Sequence, residues 1–119
     1  MTARFTELAI DCANPRALAE FWAEVLGYSI LEATDEVVEI GAQDGSLPTL
    51  VFVPVPEGKA VKNRVHIDVN AVGVDQGTEL QRLLALGARQ IDIGQGDVSW
   101  HVLTDPEGNE FCLLRRTVE

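Results

Sequence analysis

The sequence carries one pattern twice, half a chain apart, and this duplication constrains the fold more than any other feature. FTELAIDC, residues 5–12, is a strand candidate that leads into Asn14-Pro15, an apolar helical stripe and Gly27. RVHIDV, residues 64–69, leads through a Gly/Asp/Gln-rich link into a second stripe and Gly87. Glu7 and His66 stand 59 positions apart, and the Leu26-Gly27 and Leu86-Gly87 pairs 60 apart, in 119 residues. Few letters are shared, so the repeat is one of pattern.

Each half supplies its own boundary signals. Asn14 is a good N-cap, Pro15 suits a first helical position, and Gly27 suits a C-terminal cap. Leu18, Phe21, Trp22, Val25 and Leu26 follow helical spacing. In the second half Leu80, Leu83, Leu84 and Leu86 predict a helix over 79–86. Three strand candidates follow each helix: 28–33, 36–40 and 49–55, then 89–93, 99–103 and 110–115. AQDGS and TDPEGN are the turns, the latter with Pro and Gly where a type I turn wants them. The expected organisation is α+β, one domain spanning 1–119, made of two modules at about 1–57 and 58–119.

Strand alternation then divides the side chains into faces. Leu8, Ile10 and Cys12 should pack on Phe21 and Trp22, which leaves Glu7 on the opposite face. Val65, Ile67 and Val69 should pack on the second helix, which leaves Arg64, His66 and Asp68 opposite. In 110–115 Phe111 and Leu113 face inward, so Glu110, Cys112 and Leu114 face away. Three strands thus each present ionisable groups on the face turned from the helices. His66 suits a general acid or base, or a donor to a bound carbonyl. Asp68, on the same face, could orient that ring or bind substrate. Glu7 reads either as an ion-pair partner of Arg64 or as a second acid–base group. Trp100 and Phe52 are candidate aromatic walls for a flat ligand.

A net charge of −10 argues against nucleic acid and against an anionic membrane surface, and is compatible with a cationic or neutral small ligand. Lys59, Lys62 and Arg64 form one local basic stretch leading into the His66 strand. No apolar run approaches the roughly 20 residues of a bilayer span. The opening MTARFTELAI lacks the apolar stretch of a signal peptide. With Cys12 and Cys112 read as buried thiols, a cytoplasmic location is expected. The sequence has no GxSxG, no phosphate-binding P-loop and no dinucleotide fingerprint.

IDCANPRALAEFWAEVLGY (10–28), KNRVHIDV (62–69) and WHVLTDPEGNEFCLL (100–114), in that order, resemble the vicinal oxygen chelate superfamily, in its glyoxalase-like and bleomycin-resistance-like branch. The resemblance covers essentially the whole chain. It implies two βαβββ modules whose sheets form an open, barrel-like cleft, and it implies a homodimer. It also implies metal-ligand positions at Glu7, His66 and Cys112, while the fourth falls near Phe52 or Val53, which cannot ligate. Glutamate, histidine and cysteine together could bind zinc, but the oxygen-rich site of harder ions lacks a carboxylate. The expected cofactor is therefore none, or a divalent metal.

The leading expectation is a small-molecule-binding protein that sequesters a cationic or planar ligand in the cleft, with Arg64, Asp68, Phe52, Trp100 and Glu110 as contacts. The alternative is a lyase or isomerase of the same superfamily, using Glu7 and His66 with or without a divalent ion.

Overall fold

A computed structural model describes all residues, 1–119. The chain divides into two compact units, Met1–Gly58 and Lys59–Glu119, and the strand–helix–three-strand order recurs in each. None of its helices is long and apolar enough to cross a membrane.

The first unit contains β1 (Glu7–Cys12), α1 (Pro15–Leu26), β2 (Ser29–Ala33), β3 (Val38–Gly41) and β4 (Thr49–Pro54). Its sheet runs β1-β4-β3-β2, with β1 and β4 parallel and the other neighbours antiparallel. Asn14 accepts from the Ala17 N–H and Gly27 adopts the left-handed conformation, so both ends of α1 lie where their capping chemistry places them. α1 packs on β2, β3 and β4 and buries Leu18, Phe21, Trp22 and Val25. The parallel register sets Leu8 beside Leu50 and Ile10 beside Phe52, while Glu7 stands beside Thr49 and Ala9 beside Val51. Phe52 thus shares the inner face with Ile10 and is fully buried, at 0% exposure. Its expected role as a ligand wall is corrected: Phe52 is core, and Val51 takes the other face.

The second unit contains β5 (Ile67–Val69), α2 (Gln76–Leu86), β6 (Arg89–Gln90), β7 (His101–Thr104) and β8 (Glu110–Leu113). Its order, β5-β8-β7-β6, repeats the first, again with one parallel pair, β5 and β8. Phe111, Leu113 and Leu103 are wholly buried on one face, as is Leu83 of α2. Several boundaries depart from expectation: β7 starts at His101 rather than 99, β8 ends at Leu113 rather than 115, and three further departures have identifiable causes. α2 starts at Gln76 rather than 79, because Asp75 caps it through the Thr78 N–H at 2.7 Å. β6 ends at Gln90, since turns pairing Gly94 N–H with Asp92 and Ile93 N–H with Gln95 take over beyond it.

The third departure concerns the His66 strand. β5 starts at Ile67, paired with Phe111, and β8 starts at Glu110, so residues before 66 have only a turn beside them and no ladder to join. Val65, expected to pack inward, is 75% exposed in the bend that precedes the strand.

Candidate functional site

The register of β5 on β8 builds the site. Asp68 pairs directly with Cys112, and Cys112 pairs on its other side with Val102, so the three form one row across the sheet. His66, two residues before Asp68, shares its side, and His66 Nδ1 lies 3.0 Å from Asp68 Oδ1. The two side chains are 42% and 43% exposed, which leaves both within reach of a ligand. A carboxylate at this distance accepts the Nδ1 proton and leaves Nε2 free to accept one.

Cys112 is buried beside them. Burial pushes its thiol above the usual range, and the Asp68 carboxylate adds to the shift through its charge and by accepting the S–H; the Lys62 ammonium opposes it. The free thiol therefore stays protonated at neutral pH, with Asp68 as acceptor for both His66 and Cys112.

These residues line a pocket of about 340 Å³ in the second unit. Lys62, Gln95 and Glu110 complete its polar lining, and Ile93, Trp100, Val102 and Leu114 its apolar side. Trp100 is 39% exposed, while His101 on the alternate face meets the Gln90 side chain. An apolar wall with a few convergent polar groups is the usual make-up of a small-molecule site.

Glu110 faces the pocket but is already occupied. Its Oε2 accepts from Lys59 Nζ at 2.6 Å and its Oε1 from the Asn63 N–H at 2.7 Å. Burial would raise its carboxyl, yet these hydrogen bonds and the Lys59 charge outweigh it and hold the group below the usual carboxylate range. Glu110 thus clasps the segment leading to His66 onto the start of β8. The turn beneath is fixed by Asp105, which accepts from the Glu107 and Asn109 backbones and from Asn109 Nδ2, each at 2.9 Å.

Sequence reasoning placed His66, Asp68, Glu110, Cys112 and Trp100, and these five come together. Arg64 lies in the exposed bend and is not among the lining residues; Lys62 of the same basic stretch is. Ile93 and Gln95 were missed: Ile93 reads as the end of the strand candidate 89–93 and Gln95 as loop beyond it, and nothing local ties either to Trp100. Glu7 sits in the first unit, in a recess of about 200 Å³ with Glu32, Glu39 and Val51.

The family model for a glyoxalase-like domain matches residues 7–114. No curated protein matches the chain by sequence. Among solved structures, a glyoxalase/bleomycin resistance protein/dioxygenase family enzyme from Burkholderia phytofirmans PsJN superposes with a TM-score of 0.68 at 18% identity, covering 98% of this chain and 100% of that one. The fosfomycin resistance protein FosX from Mesorhizobium loti gives 0.73 at 14% identity, covering 96% and 92%. A FosX mutant from Listeria monocytogenes, complexed with Mn(II) and 1S,2S-dihydroxypropylphosphonic acid, gives 0.69 at 11% identity, covering 96% and 90%. Identities this low carry the fold alone.

Proposed function

This chain belongs to the glyoxalase-like domain family, within the vicinal oxygen chelate superfamily, and from that premise we propose that it binds and sequesters a planar small molecule, cationic or neutral, in the second-unit pocket. One observation carries the reading: the 340 Å³ pocket is lined both by the part-exposed Trp100 and by a polar edge of His66, Asp68 and Lys62. A flat ring stacks on the indole and offers its heteroatoms to that edge. The chain's charge of −10 favours cationic members of the class. Arg64, two residues before His66 in the exposed bend, is a candidate contact for a ligand that extends beyond the pocket.

The test is a thermal-shift and calorimetric screen over planar cationic, neutral and anionic compounds. Ligands of the native state raise its melting temperature. Trp100→Ala is expected to weaken any hit about tenfold, the equivalent of about 1.4 kcal/mol of lost stacking and apolar contact. A screen without stabilisation, or a hit whose affinity Trp100→Ala leaves unchanged, rules the reading out.

A second reading is favoured by the 3.0 Å His66–Asp68 contact. An imidazole oriented by a carboxylate is a general-base arrangement, suited to proton abstraction beside a carbonyl. In that reading the protein is a lyase or isomerase, with His66 as base, assisted or not by a divalent ion. Turnover of α-ketoaldehydes that disappears in His66→Ala would establish it over sequestration. Cys12 and Cys112 are buried and form no disulfide, which supports a reducing, cytoplasmic setting for either reading. We take the working assembly to be a homodimer, which light scattering checks.

A further inference from the structure

Two polar residues that line the second-unit pocket are spent on the protein itself. Both Glu110 oxygens are taken, one by Lys59 Nζ at 2.6 Å and the other by the Asn63 N–H at 2.7 Å. Gln95 accepts the Ile93 N–H at 2.8 Å and turns its amide toward the Ile91 carbonyl at 3.5 Å, so it braces its own loop. Lys62, in contrast, joins none of the chain's ion pairs. Asp68 meets His66 through one oxygen and is 43% exposed, and a carboxylate offers about four acceptor positions. The pocket therefore shows a ligand one cation that only donates, one anion that only accepts, and an imidazole tied to that anion. From this pairing we infer that the pocket selects an uncharged planar ring that carries a carbonyl-type acceptor and an N–H donor: the amide, lactam and imide class. The inference rests on the sequestration reading and narrows its ligand, cationic or neutral, to the neutral kind.

Charge is balanced in the pocket although it is not balanced in the chain. Met1–Gly58 holds two Lys or Arg against ten Asp or Glu, and Lys59–Glu119 holds seven against nine. The acidic excess thus lies mainly in the first unit, and a field of that kind steers cations toward the chain rather than choosing what a pocket retains. In the pocket Glu110 is offset by Lys59, which leaves Lys62 to stand against Asp68. Both of these charges are felt at Cys112, where Asp68 pushes the thiol up and Lys62 pulls it down. Asp92 and Asp97 belong to the loop that supplies Ile93 and Gln95, but neither lines the pocket. A cationic ring is drawn to Asp68 and repelled by Lys62, and an anionic ring the reverse. Either ion must also shed water against Ile93, Trp100 and Leu114, which costs more than it does for a neutral group. An amide avoids that cost and satisfies both residues, accepting from the ammonium and donating to the carboxylate, each bond strengthened by the charge on the protein's side.

The experiment titrates the whole chain, by calorimetry, with three probes of one shape: naphthalene bearing a carboxamide, an amidinium or a carboxylate at the same carbon. The carboxamide is expected to bind at least about fivefold tighter than either ion. Lys62→Met keeps most of the side-chain stem, leaves Asp68 unopposed, and should put the amidinium first. Asp68→Asn leaves Lys62 unopposed and should put the carboxylate first. Both positions are exposed, so neither variant disturbs the core. Trp100→Ala should weaken all three probes by a similar factor and keep their order. An amidinium that binds tightest to the unaltered protein, and loses affinity in Trp100→Ala, overturns the inference while the sequestration reading stands. So does an order of affinities that both Lys62→Met and Asp68→Asn leave unchanged. If none of the three probes binds, the inference is overturned, and the wider screen decides the sequestration reading separately.

Discussion

Glu110→Ala is expected to lower the unfolding free energy at neutral pH by about 3 kcal/mol, more than a change at most pocket positions would. Glu110 is only 9% exposed and neutralises Lys59 while accepting the Asn63 N–H. Removing one partner of a buried pair costs about 3–5 kcal/mol when the other stays buried. Lys59, at 20% exposure, can reach water, which sets the value at the lower end. With about 4 °C lost per kcal/mol in a chain of this size, the melting temperature should fall by about 12 °C. Glu110→Gln keeps an acceptor for the Asn63 N–H and should lose about half as much.

The same clasp gives acid sensitivity of defined sign. The folded carboxyl titrates below its unfolded value, so the unfolded chain binds the proton more readily. Its stabilisation is complete above the unfolded value of about 4.3 and disappears as pH falls through the folded one. Urea melts should therefore show a large gap between the unaltered protein and Glu110→Gln at pH near 7, which narrows below pH about 4. A gap of constant size would mean that the ionic contact contributes nothing.

Asp105→Ala is expected to cost about 3 kcal/mol for a different reason. Asp105 is 3% exposed and satisfies two backbone N–H groups and one side-chain amide at 2.9 Å each. An alanine leaves all three unpaired in a poorly solvated place, at about 1–3 kcal/mol per group before relaxation. The turn they shape includes Gly108 at φ +89° and launches β8, which carries both Glu110 and Cys112. The Glu107 and Asn109 amides should exchange with solvent far faster in the variant, while those of the first unit keep their protection. A loss below about 1 kcal/mol would show that the turn holds itself by backbone contacts alone.

Much of this was legible from the residues. Asn14-Pro15 and Gly27 mark the ends of α1 by chemistry that acts within one helical turn, so nothing distant could override it. Asp75 does the same for α2, but Gly73 and Gly77 around it read as a link and hid the cap. Alternation placed His66 and Asp68 on one side correctly, since both hang from one stretch of chain. It failed at Val65, where the period of two continues in the sequence after the pairing partner has ended. Glu110 and Lys59 are separated by 51 positions, and no local pattern could have joined them. Phe52 shows the reverse failure: its aromaticity suggested a wall, and only the register beside Ile10 reveals that it faces the helix. Cys112 was singled out by family resemblance, and its neighbour Asp68 is visible only once two strands far apart in sequence are laid side by side.

The topology also dictates an order of assembly. In each unit the first strand waits for the fourth, because β1 pairs with β4 and β5 with β8 across the whole length of the module. Such closures are costly until the last strand arrives. On the ribosome, Met1–Gly58 holds everything its sheet needs once Pro54 has emerged, and N-terminal segments fold first during synthesis. The second unit has no such early refuge. Until Leu113 is made, β5 has no strand to pair with, so a nascent chain paused after α2 holds all the strands of its first sheet and only part of its second. Translational pausing in that stretch is expected to leave strand edges unpaired, the condition under which chaperones engage and misassembly begins.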